Sequence, residues 1–303
     1  MVLLREVEDE LEDRGEWCLA ISRIMPSLED LHQAILLRDL RKVRLLCAYS
    51  PINTDSSLRS ITALSLAVRQ GDASIAAVLL EHGANINKLS RDANGQFETP
   101  LVTSCRQANY DLAHILLKYG ADPNAADSQM RSPLWIATRE RSLELVDLLV
   151  QNGANLNAGD RRNQCPLYLA TKYFGRSEIA KLLIRHGCKL DPTDRDGRGA
   201  IYWVLANNQM DVFKLLIYAG AHINRKDRDN MTNNRHMPVG LRQNEGLIEW
   251  IRNELHNPPC LLRLSSQIIR HRLGEQGKSI WPLIDRLPLP EKLKEQLKYV
   301  NFV

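Results

Sequence analysis

Four basic residues recur at nearly constant spacing along the chain. They are Arg69, Arg106, Arg139 and Lys172, and each follows the last by roughly 33 residues, with the first step somewhat longer. A row of guanidinium and ammonium groups attracts carboxylates by charge-assisted hydrogen bonds and by the field of the row as a whole. We name these four residues the basic ladder and predict that it binds an acidic segment of a protein partner. The alternative is a repeated position that tolerates a solvated Arg or Lys.

Sequence motifs for catalysis are missing. The chain has no glycine-rich nucleotide loop, no Gly-x-Ser-x-Gly elbow and no His-Glu-x-x-His helix. Its cysteines contain no Cys-x-x-Cys pair, and none lies in a cluster with the eight histidines. The six cysteines are Cys18, Cys47, Cys105, Cys165, Cys188 and Cys260. We therefore predict a protein that is not an enzyme, with no metal, no cofactor and no disulfide framework.

Composition and charge place the chain among ordinary globular proteins. Apolar residues make up 44% and charged residues 25% of the sequence, and no long apolar run suggests a membrane span. The acidic start, with Glu6, Glu8 and Asp9, is unlike a signal peptide, so we expect a protein of the cytoplasm and also of the nucleus. The net charge of +4 lies wholly in residues 258–303, with eight Lys/Arg against four Asp/Glu. This distribution argues against a nucleic-acid binder.

The basic ladder belongs to a repeated unit of about 33 residues. Each unit ends at a glycine that follows an apolar triplet, and these glycines are Gly83, Gly120, Gly153, Gly187 and Gly220. Each unit opens with a capping position followed by a helix start, at Thr62-Ala63, Thr99-Pro100, Ser132-Pro133, Cys165-Pro166 and Gly199-Ala200. Cap, short helix, loop, second helix and glycine stop follow in that order. The ladder residues fall near the end of the first helix.

These units resemble the ankyrin repeat, with its Thr-Pro-Leu-His opening and Gly-Ala-Asp-x-Asn close. Five units match at most positions, a weaker one covers about 27–55, and a truncated one follows Asn224. The resemblance implies an all-α solenoid of about six repeats plus a truncated one over residues 27–257, because a single unit cannot bury its own apolar face. Cys165 and Gly199 lack a good capping group, so we expect neighbour packing to hold the last two full repeats.

Two further features leave alternatives open. Residues 1–26 combine an acidic run with apolar residues at helical spacing, which indicates a capping helix on the first repeat or, less simply, an acidic arm for a partner. Trp135, Tyr168 and Tyr202 share one position of the repeat. Aromatic residues there are expected to pack between repeats, and the alternative is that they are exposed binding anchors.

The segment 258–303 differs from the repeats. Apolar residues at helical spacing predict three short helices: Leu261 to Leu273, Ser279 to Leu287 with Ser279 as cap, and Glu291 to Tyr299. So short a segment cannot bury all its apolar surface by itself. It therefore requires either the preceding array or another protein to cover it.

This segment resembles a three-helix SOCS box, so that the whole chain resembles the ankyrin-repeat and SOCS-box family. The resemblance implies a substrate receptor of a ubiquitin ligase, which binds an unknown target through the array. It also implies that the first helix binds elongin C, which brings elongin B, and that the Leu-Pro-Leu-Pro segment selects cullin-5 with its RING subunit. The elongin-binding residues implied are Leu261, Leu262, Ser265, Ile268 and Ile269. The cullin-binding residues implied are Leu287, Pro288, Leu289 and Pro290.

One residue departs from the SOCS-box pattern. Ser265 occupies the position of the family's cysteine, and an unpaired buried hydroxyl costs ~1–3 kcal/mol. The resemblance therefore implies weaker elongin binding than in relatives with cysteine. The competing hypothesis is a plain ankyrin scaffold, whose last helices only close the solenoid and bind no elongin or cullin.

Overall fold

Six helix pairs, stacked in chain order, make up the described part of the array. The computed structural model describes residues 27–49, 57–58, 60–92, 94–173, 175–193, 197–221 and 279–291, and the single positions 246, 269, 273, 294 and 297. The predicted capping helix of residues 1–26 and the truncated repeat after Asn224, apart from Gly246, lie outside the described residues. We number the pairs as repeats 1 to 6.

Each repeat contributes a first helix and a longer second helix. Their bounds are α1 Leu28–Leu36 and α2 Leu40–Tyr49 in repeat 1, α3 Ala63–Arg69 and α4 Ala73–Glu81 in repeat 2, and α5 Pro100–Arg106 and α6 Tyr110–Lys118 in repeat 3. Repeats 4 to 6 follow with α7 Pro133–Arg139 and α8 Leu143–Gln151, α9 Pro166–Lys172 and α10 Ser177–Arg185, and α11 Ala200–Ala206 and α12 Met210–Ala219.

Helix starts follow the predicted capping pattern. The hydroxyls of Thr62, Thr99 and Ser132 each accept a hydrogen bond from the backbone N–H three residues later. Neither Cys165 nor Gly199 makes such a bond, as predicted. Helix ends follow the pattern as well, because the five stop glycines have φ between +82° and +98°. That left-handed conformation is easy for glycine and strained for other residues.

Neighbouring repeats share one core. First helices pack side by side, second helices do the same, and a single cluster of buried apolar residues runs from Leu31 to Ala219. The closing asparagine of one repeat also accepts a hydrogen bond from the next repeat. Asn87, Asn124 and Asn157 accept from the backbone N–H of Asp122, Asn155 and Lys189, at 2.7–2.9 Å. The asparagine of the sequence motif therefore fixes the stacking.

Two of the loops predicted only as turns form short β-hairpins. β1 Ser57–Leu58 pairs antiparallel with β2 Ile61–Thr62, and β3 Ser90–Arg91 pairs antiparallel with β4 Phe97–Glu98. The fold is helix-rich, as predicted, and these two-residue strand pairs are an addition that the repeat pattern did not predict. The second hairpin also explains the longer first step of the repeat, since it lies between Gly83 and Pro100, and the interval from Gly120 to Pro133 is shorter.

The C-terminal segment has a core of its own. Ile280, Ile284 and Leu297 are buried together. Four half-buried residues pack against them, namely Ile269, Leu273, Leu287 and Leu289. The one helix bounded in the described part of this segment is α13, Trp281–Asp285, and its N-cap is Ile280. The prediction that Ser279 caps a helix reaching Leu287 is wrong, because the Ser279 hydroxyl bonds to the array instead.

Candidate functional site

The four ladder residues occupy equivalent positions in the fold. Arg69, Arg106, Arg139 and Lys172 are each the last residue of the first helix of their repeat. Since first helices pack side by side, the four fall along one edge of the array. A cation in the last turn of a helix is also stabilised by the negative end of the helix dipole. The ladder thus has a structural cause in addition to any binding role.

Arg106 has its charge balanced within the array. Its guanidinium bonds to Glu98 Oε2 at 2.8 Å and lies 3.5 Å from Asp127 Oδ2. The side chain of Asp127 is fully buried and pairs also with Arg131 at 2.7 Å. Glu98 is buried too and accepts a hydrogen bond from the Thr103 hydroxyl. Two carboxylates and two guanidiniums therefore form a closed set.

The other two arginines of the ladder have partners as well. Arg69 donates to the backbone carbonyl of Arg91, and Arg139 pairs with the neighbouring carboxylate of Glu140. The Arg139 guanidinium also lies over the Trp135 ring, 5.6 Å from its centroid. The carboxylate of Glu140 offsets the charge of Arg139, whereas the carbonyl that holds Arg69 leaves the charge of Arg69 without a carboxylate partner among the described residues.

Lys172 differs from Arg106 and Arg139. Its ammonium donates to the Tyr168 hydroxyl at 2.8 Å and has no carboxylate partner among the described residues. It lies over three aromatic rings, 5.1 Å from the centroid of Tyr168, 5.7 Å from that of Tyr173 and 4.9 Å from that of Trp203. Cation–π contacts hold an ammonium in place without neutralising it. Lys172 is therefore a positioned cation whose charge remains available.

Beside Lys172 the array carries an extra residue. Four residues, 173–176, separate α9 from α10, whereas three separate the two helices in repeats 2, 3, 4 and 6. Tyr173 leaves the helix in an extended conformation, with φ −109° and ψ 139°, and 44% of its surface is exposed. Arg176, at the end of the loop, lies over the same ring at 5.1 Å. The insertion explains why Gly187 follows Gly153 at a longer interval than Gly153 follows Gly120.

Arg176 is buried without a carboxylate. Its Nε and Nη2 donate to the backbone carbonyls of Thr138 and Arg139 at 2.9 and 2.8 Å, and Nη1 has no hydrogen-bond partner among the described residues. Burial, and then the charge of Arg141, lower the pKa of Arg176 from its usual value. The carbonyls at the end of α7 thus hold Arg176 close to two other cations, Arg139 and Arg141.

The shared aromatic position packs inward, as predicted, in two of its three members. Trp135 is 6% and Tyr168 2% exposed, and the Trp135 indole donates to the carbonyl of Gln164 at 2.9 Å. Tyr202 is half-buried under Arg198, whose guanidinium lies 5.6 Å from the ring centroid. Sequence reasoning missed Trp203 of the following repeat, whose ring contacts Lys172, and Arg198, which lies over the same ring.

Most of the residues implied to bind elongin lie outside the described residues. These are Leu261, Leu262, Ser265 and Ile268, while Ile269 is helical, half-buried and packed on the C-terminal core. In the segment implied to bind cullin, Pro288 and Pro290 are exposed, and Leu287 and Leu289 are half-buried against the same core. The two prolines therefore present a surface that a partner can contact.

The C-terminal segment joins the array at the end of repeat 5. The backbone N–H of Ile280 donates to the carbonyl of His186 at 2.9 Å, and the Ser279 hydroxyl lies 2.5 Å from Nδ1 of His186. Ile280 is fully buried against Gly187. A Cβ atom added to Gly187 would lie 2.6 Å from the Cγ2 atom of Ile280. Part of the apolar surface of the segment is thus covered by the array.

Thiol, metal and membrane chemistry find little support in the described part of the chain. Burial raises the pKa of Cys105 to about 12, so this group is a thiol at neutral pH. In the ranges described, no three His, Cys, Asp or Glu side chains are grouped to hold a metal ion. None of the described helices has the length and apolar character needed to span a bilayer.

Comparisons with known proteins agree with the geometry of the array. A family model for ankyrin repeats in three copies matches residues 31–127, 89–160 and 134–227. Among solved structures, the crystal structure of an ankyrin repeat domain from Acinetobacter baumannii is similar, with a TM-score of 0.58 and 23% identity. The match covers 63% of this chain and 98% of the bacterial one, and it concerns the fold alone. No curated protein matches the sequence.

Proposed function

The chain belongs to the ankyrin-repeat family, and we propose that it is the substrate-recognition subunit of a ubiquitin ligase. Stacked ankyrin repeats form an interaction scaffold for protein partners. In this proposal the array holds the target, and residues 258–303 hold elongin C with elongin B and a cullin-5 scaffold with its RING subunit. The chain itself performs no catalysis and acts in the cytoplasm and the nucleus.

One observation carries the proposal. The C-terminal segment is not a further repeat, because it has its own core around Ile280, Ile284 and Leu297 and keeps Pro288 and Pro290 exposed. A segment that served only to close the solenoid would gain nothing from exposed prolines that alternate with half-buried leucines. An exposed, rigid Pro-containing segment is instead suited to recognition, since proline loses little conformational entropy on binding.

The contact between the two parts also fits a receptor. A ligase needs its target at a defined distance from the ubiquitin-carrying enzyme, since position contributes much of the rate of a transfer reaction. Ile280 and Ser279 connect the segment to His186 and Gly187 directly, in addition to the chain that links them. The joint therefore restricts how far the segment can move relative to repeat 5.

Co-purification of elongins tests the proposal. The full chain, expressed in cells with the proteasome inhibited, is expected to bring down elongins B and C, and removal of residues 258–303 is expected to abolish this. Because that deletion also removes Ile280, a second variant, Leu261→Glu, keeps the joint with the array and should lose elongins as well. Retained elongins in both variants would overturn the assignment.

A plain scaffold is the second candidate, and the same joint is the observation in its favour. A segment whose Ile280 is buried on the array could simply stabilise the solenoid. This alternative predicts that the full chain binds no elongin, and that removal of 258–303 lowers the stability of repeat 5 without any effect on complex assembly. Thermal unfolding measured beside the pulldown separates the two.

A further inference from the structure

The inserted loop of repeat 5 changes the surface of the array at one place. Tyr173 is the C-cap of α9 and is extended there, whereas the C-caps of the first helices in repeats 2, 3, 4 and 6 keep a near-helical backbone. Two cations, Lys172 and Arg176, lie within 5.7 Å of its ring centroid. An insertion that only lengthened a loop would be expected to carry small polar residues. The lengthened loop instead begins with an exposed aromatic ring between charged groups.

Residues of the next repeat complete this surface. The Trp203 ring has Lys172 on it at 4.9 Å and Arg198 at 4.7 Å, both measured to the ring centroid. We name Lys172, Tyr173, Arg176, Arg198 and Trp203 the repeat-5 surface. Two aromatic rings of consecutive repeats are therefore bordered by three cations.

Among the described side chains of repeats 4 and 5, positive charge is in excess beside this surface. Arg141 approaches the loop, because its Nη1 atom lies 3.3 Å from the position that a Cβ would take on Gly175. The described carboxylate that acts on Arg176 is Glu140, and it is paired with Arg139. By contrast, the charge of Arg106 is balanced by Glu98 and Asp127 two repeats away. Arg69 and Lys172 are the ladder residues without a carboxylate partner among the described residues, and Lys172 shares its aromatic rings with two further cations, Arg176 and Arg198.

We propose that the repeat-5 surface binds an aspartate or glutamate side chain in an acidic segment of the target protein, with Lys172 as its direct partner. The inference rests on the proposed function only in that the bound segment would belong to the ligase target. The apolar neighbours of the carboxylate in that segment would contact the exposed ring of Tyr173.

The donors on this surface favour a carboxylate over a phosphate. Phosphate groups are recognised best by arginine forks that can donate two parallel hydrogen bonds. Two donors of Arg176 already bond to the carbonyls of Thr138 and Arg139, and Arg139 is engaged with Glu140. The Arg198 guanidinium lies over the rings of Tyr202 and Trp203. Lys172 offers a single compact charge, which suits one singly charged carboxylate.

Peptide selection by the full-length chain tests this proposal. Random dodecapeptides displayed on phage are selected on the wild type, on Lys172→Glu and on Lys118→Glu. Lys118 is an exposed lysine at the end of α6, so its reversal changes the net charge equally at another place. We expect Asp and Glu to be enriched by the wild type and by the Lys118 variant, and Lys and Arg to replace them with Lys172→Glu.

A second measurement guards against misfolding of the reversed variant. Lys172→Met keeps the aliphatic stem, and the affinity of one selected Glu-containing peptide, measured by fluorescence anisotropy, should fall about tenfold. Absence of acidic enrichment with the wild type, or equal enrichment with Lys172→Glu, would overturn the proposal. Elongins should still co-purify with Lys172→Glu, so a failure here and a failure of the ligase assignment are separate results.

Discussion

The backbone N–H of Ile280 donates a hydrogen bond to the carbonyl oxygen of His186 over 2.9 Å. The last carbonyls of a helix have no partner within it, and His186 is the C-cap of α10. Ile280, which is distant in the sequence, therefore supplies the hydrogen-bond donor that the carbonyl at this helix end lacks. The side chain of Ile280 fills the space beside Gly187. Glycine at this position serves two purposes, a left-handed turn and room for Ile280.

Substitution of Gly187 separates these two purposes. Gly187→Ala should lower the free energy of unfolding more than Gly153→Ala, since both have φ above +80° but a Cβ meets nothing within 4 Å at Gly153 and meets Ile280 Cγ2 at 2.6 Å at Gly187. The control should lose roughly 1–2 kcal/mol for the left-handed backbone alone. Equilibrium urea unfolding measures both. Equal losses would mean that Ile280 does not occupy this space in solution.

Arg106 and Lys172 are expected to differ in their effect on stability. Arg106→Gln leaves the buried carboxylate of Glu98 without its cation and should lower the free energy of unfolding by about 2–3 kcal/mol. Lys172→Gln removes a charge that pairs with no carboxylate among the described residues, so it should change stability by less than about 1 kcal/mol. Urea unfolding of the two variants compares them, and a larger loss for the lysine would contradict the assignment of roles.

This difference also shows what the sequence could and could not reveal. The regular spacing of the ladder identified four equivalent positions, because each ends a first helix. It could not show that Arg106 is neutralised, since Glu98 lies in β4 and Asp127 in the loop before α7, and only the stacking of repeats brings them together. Charge balance is a property of the tertiary structure and not of one chain position.

Helix caps and glycine stops were readable because they act within a few residues. Thr62, Thr99 and Ser132 bond to the third following residue, so the motif contains both partners. The contact of Ser279 with His186 links distant parts of the chain and has no local signal. The loop insertion had a signal, the lengthened interval before Gly187, but the ladder spacing hid it because Lys172 precedes the inserted residue.

The first repeat should lose stability as the pH falls. His32 is buried, and burial lowers its pKa below the ordinary value of 6.5. Below about pH 6.5 the unfolded chain binds a proton at His32 that the folded chain does not bind. The contribution of neutral His32 to the free energy of unfolding is therefore complete above that pH, and it is lost as the pH falls towards the folded-state pKa. Urea unfolding of the wild type and of His32→Gln between pH 7.5 and 5 should show a smaller decline for the variant. Parallel declines would assign the effect to other groups.

The strength of elongin binding should depend on Ser265, a residue outside the described ranges, to which only the SOCS-box resemblance assigns a role. If Ser265 enters an apolar pocket of elongin C, its hydroxyl loses water, although a bond to the carbonyl four residues earlier would offset part of the loss. Ser265→Cys replaces the hydroxyl by a readily buried thiol and should tighten binding up to about tenfold. Isothermal titration with purified elongin B and C measures the change. Ser265→Ala removes the hydroxyl without adding sulfur, so it separates the cost of burying the hydroxyl from the gain of the thiol. Weaker binding by the cysteine variant would contradict the proposed register of the motif.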